Sequence, residues 1–268
     1  ERPNWFAPKG VEPKDVYAMG RQNWFSQVGV EHKAVREGVG LFDQSSFAKF
    51  EVRGRDAAQA LDWIMANRVP AVGKLAYTQM LNSRGGIECD LTVARLADDH
   101  FYVVTGTGFR THDFSWISDH LTPGFEVSIQ DVTERFGTLS LMGPQARDVL
   151  SRVTSADVSH AVFPFGAVRQ IEVGGHLVRA LRVTYVGELG WELHVPIAAL
   201  GDVYDALMAK GDVTLAGYRA IESLRLEKGY RAWGADITPN DTPFHAGLGW
   251  AVKLKGSTDF LGRVACQK

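Results

Sequence analysis

Cysteine is almost missing from this chain: among 268 residues only Cys89 and Cys266 occur, far apart and in no CxxC pair. Two isolated thiols exclude a disulfide-built scaffold and the usual structural zinc modules, and they favour a reducing compartment over a secreted setting. An excess of either charge is missing too. Lys and Arg number 29 against 31 Asp and Glu, so no general field draws the protein to nucleic acid or to an anionic membrane, and neither is an expected partner. No apolar run approaches spanning length, and the opening ERPNWFAPKG lacks the charged-then-apolar order of a secretory signal. HExxH, GxSxG and the phosphate-cradling GxxxxGKS or GxxxxGKT are all absent, so no metal, nucleophile elbow or P-loop is expected.

What is present is enough apolar residue, 45%, for a sizeable core. Ala57, Ala60, Leu61, Ile64 and Met65 recur at helical spacing between Asp56 and Val69, with Asp56 placed to cap the first turn. Further helices are predicted after Gly143-Pro144, around Asp202 to Lys210 ending at Gly211, and through Ala220, Ile221 and Leu224 to Gly229. Between them lie the strand-like segments FAKFEVRG, GIECDLTVARL, HFYVVTG, FEVSIQDV, AVRQIEVGG, HLVRALRVTYVG and GWELHVP. Short glycine turns, as in IEVGGHLVRALRV, demand antiparallel pairs, and the fold class is α+β.

HFYVVTGTGFRTHDF followed by EVSIQD imitates a dinucleotide fingerprint, but Thr111 stands where a third glycine would let helix pack on strand. A plain strand-to-helix turn is the better reading. His32, before AVRE, reads as a core or helix-start residue rather than a base.

Two stretches place acids where alternation would leave them facing away from a core. In GGIECDLTV, Ile87, Cys89, Leu91 and Val93 face one way, and Glu88, Asp90 and Thr92 the other. In RVTYVGELGWELHV a strand carrying Tyr185 turns into one where Trp191, Leu193 and Val195 alternate against Glu192 and His194. A wet sheet face explains both. So does a pocket for a flat polar heterocycle, with Tyr185 as wall and Glu192 accepting two adjacent N–H donors. Composition does not choose.

The ordered segments EHKAVREGVGLFDQSSFAKFEVRG, YTQMLNSRGGIECDLTV, LSLMGPQARDVL, RVTYVGELGWELHVP and SLRLEKGYRAWGADITPNDTPFHAGLGWAVK span nearly the whole chain. Together they resemble the folate-binding aminomethyltransferase family typified by the glycine cleavage T-protein. SSFAKF, VTYVGELGWELH and SLRLEKGYRAWG look closest to the C-terminal folate part of dimethylglycine and sarcosine dehydrogenases or oxidases. The resemblance implies mixed sheets with a ferredoxin-like subdomain over 54–133, a discontinuous main body over 1–53 and 134–268, a central cavity, and a missing C-terminal β-barrel. It implies tetrahydrofolate as cofactor, FAD only in a missing N-terminal domain, a small amine or iminium substrate, and a flavin domain as partner in the parent chain. The start at Glu1 without Met, in a linker-like segment, suits an excised piece. Carried over by position, Asp90 matches the catalytic aspartate, Tyr185 and Glu192 match pterin contacts, and Tyr77 resembles a further aromatic of the cavity. Ile221 stands where many relatives carry arginine, and His245 where related sequences often carry Glu. A free-standing aminomethyltransferase, a folate-dependent demethylase and a non-catalytic binding module are the rival readings. KGYRAWGAD, without the cysteine of a KGCYxGQE-like motif, argues against the iron–sulfur-assembly branch.

Overall fold

The computed structural model describes residues 2–121, 124–209 and 213–267. In chain order the elements are α1 (Phe25–Glu37), β1 (Gly40–Asp43), β2 (Ala48–Arg53), α2 (Ala57–Ile64), β3 (Lys74–Leu81), β4 (Ile87–Ala97), β5 (His100–Thr105), α3 (Arg110–His120), β6 (Ser128–Asp131), β7 (Phe136–Met142), α4 (Ala146–Ser151), β8 (Val168–Val173), β9 (His176–Leu181), β10 (Gly190–Pro196), α5 (Leu200–Met208), β11 (Thr214–Leu215), α6 (Tyr218–Glu227) and α7 (Arg263–Cys266). They form two compact units, Glu1–Ser46 with Glu134–Tyr230, and Phe47–Thr133 with Arg231–Lys268.

In the first unit six strands run in the order β11-β1-β7-β10-β9-β8. Trp191, Leu193 and Val195 of β10 and Leu139 and Leu141 of β7 point into one core, covered by α4 and α5 through Val149, Leu150, Val203 and Leu207. On the opposite face Phe42 and Met142 pack with Ala220, Ile221 and Leu224 of α6 and Val35 of α1. The β8–β9 hairpin forms as its glycines predict. Val173 pairs with His176, and the two-residue turn needs positive φ at Gly174 (58°) and Gly175 (84°).

The second unit carries five antiparallel strands in the order β3-β4-β5-β2-β6. The path β2–α2–β4–β5–α3–β6 is the split βαβ of a ferredoxin-like sheet, with β3 added at the edge. Cys89, Leu91 and Val93 of β4 meet Ala57, Leu61 and Ile64 of α2 and Ile117 of α3 in its core. Every strand neighbour here is antiparallel, so the glycine turn after β5 is a plain strand-to-helix connection rather than a dinucleotide site. Contacts draw this unit as 47–133 with 231–268. Strand β2 is laddered to β5 and β6, and Ile237, Ala246, Leu248 and Phe260 close a separate cluster on Ala66, Leu81 and Ile87. Both sheets are open, and no closed barrel occurs among the described residues.

Several local expectations are revised. Asp56 makes no side-chain cap; its Oδ2 accepts the Glu126 N–H at 2.7 Å instead. Helix α2 ends at Ile64 because Met65 turns extended to bridge Met80, and Ala66 donates to the Gln79 carbonyl. Strand β9 stops at Leu181, so Tyr185 sits beyond it and not within a strand. His32 lies inside α1, where it bridges to α6 through Ser223 Oγ (3.0 Å) and Glu227 (3.3 Å). The expected end of the third predicted helix at Gly211 falls outside the described residues.

The paired glycines before β4 have different duties. Gly85 supplies φ of 82°, whereas at Gly86 a Cβ would stand 1.9 Å from the Pro239 carbonyl oxygen. Close approach lets Ile87 donate to the Asp241 carbonyl and accept from the Trp233 indole N–H, tying 231–268 to the start of β4. Gly86→Ala therefore lowers stability by about 1–3 kcal/mol, read as a shifted urea midpoint at unchanged slope.

Candidate functional site

In the second unit Asp90 lies on the face of β4 turned away from Cys89, Leu91 and Val93, as alternation requires. Gln79 stands directly across the ladder on β3 and donates from Nε2 to Asp90 Oδ1 at 2.8 Å. Tyr77, two residues along the same face of β3, adds a hydrogen bond to the carboxyl. Its ring leans on Trp250, with centroids 5.9 Å apart. Burial pushes the Asp90 pKa up to about 6; the Tyr77 and Gln79 hydrogen bonds pull it down, and nearby Asp113 raises it. A group poised there exchanges a proton near neutrality. Tyr77→Phe removes one of the bonds that favour the anion and shifts the Asp90 titration to higher pH, visible as a displaced acid limb in carboxyl NMR.

Asp113 is itself buried on α3. It accepts from the Thr105 hydroxyl at 2.5 Å and lies 2.9 Å from His112 Nδ1. Burial, followed by the charge of Asp113, pushes the Cys89 thiol well above its ordinary range. Sequence reading missed Asp113 because it is one acid in an undistinguished helix. Gln79, equally missed, was legible in principle as the residue opposite Asp90 once β3 and β4 were paired.

In the first unit Glu192 sits on β10 opposite Ser140 of β7 and Leu181 of β9, only 7% exposed. Its Oε2 lies 3.5 Å from His194 Nε2, and the other ring nitrogen of His194 meets Thr138 Oγ1 at 3.2 Å. Phe42, Ser140 and Met142 share that face, since Phe42 pairs with Ser140 and Met142 lies two residues on. Tyr185 packs on the Phe42–Met142 cluster and stacks on Tyr230 with centroids 6.0 Å apart. The structure thus brings Tyr77 to Asp90 within one unit, and puts Tyr185 on the Glu192 side of the sheet within the other. Ile221 is buried in α6 and offers no charge there, while His245 is exposed and meets the Thr242 N–H at 3.4 Å.

The two sheets, one of them a split βαβ with an added edge strand, have the fold of an aminomethyltransferase-type domain. The glycine cleavage system aminomethyltransferase T of Bartonella henselae matches with a TM-score of 0.81 and 30% identity, over 94% of this chain and 69% of that one. The model of the GCVT N-terminal domain matches residues 1–256, and the chain belongs to that family. The mitochondrial sarcosine dehydrogenase of Mus musculus is 45% identical over 88% of this chain and 28% of its own length. The mitochondrial dimethylglycine dehydrogenase of the same species is 38% identical over 100% of this chain and 31% of its own. The chain spans about a third of the length of these curated relatives. No described helix is long and apolar enough to cross a membrane.

Proposed function

We propose that the chain is the tetrahydrofolate-dependent one-carbon transfer module of a flavin-linked dimethylglycine- or sarcosine-type demethylating enzyme, with 5,10-methylenetetrahydrofolate as product. The observation that carries this reading is Asp90, an acid held by Gln79 and Tyr77 with a pKa of about 6. The donor set suits a reduced pterin: Glu192 offers a largely buried carboxylate to adjacent N–H groups, and Tyr185 offers a ring face. The folate, when bound, supplies the nucleophilic nitrogens that take up the one-carbon unit. Asp90 then stabilises cationic charge developing beside it and accepts the proton released at ring closure, which it passes to solvent as it titrates. Tyr77 and Gln79 hold its carboxylate in place. FAD belongs to a separate domain of the parent chain, and the amine or iminium is a small molecule delivered from there. A mitochondrial matrix or bacterial cytoplasmic setting fits relatives such as the two mitochondrial dehydrogenases.

The test has two stages on the same protein. Calorimetric titration with tetrahydrofolate is expected to show saturable binding. Adding formaldehyde as one-carbon donor is expected to give methylene transfer above the spontaneous rate. Binding without acceleration supports a non-catalytic folate module instead, and no binding removes the folate reading altogether.

A further inference from the structure

On the face of β10 opposite Glu192, two arginines converge on one indole. The Arg182 guanidinium lies 4.8 Å from the Trp191 ring centroid and the Arg147 guanidinium 5.4 Å. Each is pinned by a single N–H to the loop between α4 and β8, Arg182 to the Phe163 carbonyl at 2.6 Å and Arg147 to the Val158 carbonyl. Arg182 is 7% exposed, yet neither guanidinium has a carboxylate within 4 Å among the described residues. The acids nearest in sequence, Asp148 and Asp157, are exposed; Asp157 accepts from the Ser159 N–H and faces Arg147 and Arg169 only at longer range than an ion pair. The Trp191 indole N–H is buried without a hydrogen-bond partner among the described residues.

Two like charges close enough to oppose each other, one of them buried, are unfavourable unless something of opposite sign completes them. Burial, and then the charge of Arg147, lower the Arg182 pKa, as expected of two adjoining cations with no carboxylate in ion-pair contact among the described residues. Stacking and one backbone bond each fix the two planar forks while leaving most of their N–H donors unused, the arrangement that grips a planar or tetrahedral oxyanion by paired hydrogen bonds.

We propose that Arg147, Arg182 and Trp191 form a binding site for a small oxyanion, a phosphate monoester or a carboxylate, separate from the acids assigned to one-carbon transfer. Occupancy neutralises the pair and stabilises the loop that carries Val158 and Phe163. The site lies wholly within the first unit and requires no folate, so its fate is independent of the functional reading above.

The experiment is thermal denaturation with tryptophan fluorescence in sodium phosphate, sodium glutarate and sodium chloride at matched ionic strength. Phosphate or glutarate is expected to raise the melting temperature saturably, with half-effect on the order of 1 mM, and the more effective of the two identifies the ligand class. Arg147→Gln, at a partly exposed position, is expected to weaken the response at least about tenfold; Arg147→Lys, which keeps the charge without the fork, falls between; Arg135→Gln, at an exposed position just before β7, leaves it intact. Identical curves in the three salts, or a response that survives Arg147→Gln undiminished, overturn the proposal.

Discussion

Asp90→Asn is expected to cut folate-dependent one-carbon transfer by about 10²–10⁴-fold, the usual contribution of a positioned acid–base group, and to make the protein more stable above pH 7. The two effects have one cause. The folded-state pKa of Asp90 is raised from 3.8 to about 6, chiefly by burial. Below pH 3.8 the carboxyl is neutral in both states. Between 3.8 and about 6 the folded protein keeps a proton that the unfolded chain has lost, so stability falls as pH rises through that window. Above it the native state carries a desolvated anion at a cost of about 3 kcal/mol, from roughly two units at 1.36 kcal/mol each. Asparagine mimics the neutral acid but accepts more weakly from Gln79 and Tyr77, so the gain at pH 8 is expected to be about 1–2 kcal/mol, vanishing at pH 4. Urea titrations at pH 4, 6 and 8 measure it. A wild-type transfer rate in the folded variant would falsify the catalytic role, and a stability difference that ignores pH would remove its electrostatic explanation.

Glu192→Gln is expected to weaken tetrahydrofolate binding by about 100-fold while leaving turnover at saturating folate within a few-fold. Hydrogen bonds to a charged acceptor contribute roughly 1.5–3 kcal/mol each, and the amide replaces one acceptor by a donor that faces the ligand's own N–H. Losing about 2.7 kcal/mol corresponds to two decades in the dissociation constant. The variant keeps the strand pairing of β10 with β7 and β9, which runs through the backbone, so circular dichroism should not change. An unaltered dissociation constant would take Glu192 out of the binding site, whatever the outcome at Asp90.

How far the chain announced this structure depends on where each element finds its partners. The β8–β9 hairpin was legible because two glycines meet the positive φ of a tight turn locally. Strand β4 was legible because it is buried on one face against α2 and α3, so its alternation survives. Helix α1 gave a weak signal because a carboxylate occupies its core side. Glu31 is buried there, accepting the Phe6 and Gly217 N–H groups at 2.7 and 2.9 Å, a role no periodicity encodes. Strand β7 was silent for the same reason: Thr138 and Ser140 are fully buried and blur the contrast between its faces. The Asp56 cap failed because a distant N–H, that of Glu126, captured the carboxylate.

By itself the order of residues determined the α+β class, the alternation that turns Asp90 and Glu192 away from their apolar neighbours, and the family to which the chain belongs. The class and the alternation follow from period and turn chemistry legible within a few neighbouring positions, and the family from ordered motifs along nearly the whole chain. Only the tertiary structure decided that Gln79 and Tyr77 sit beside Asp90, that desolvation lifts its pKa to about 6, and that 231–268 packs on the start of β4. It alone showed Arg147 and Arg182 meeting over Trp191. Burial and cross-strand register are properties of surfaces brought together from remote parts of the chain, and an electrostatic environment exists only once those surfaces have met.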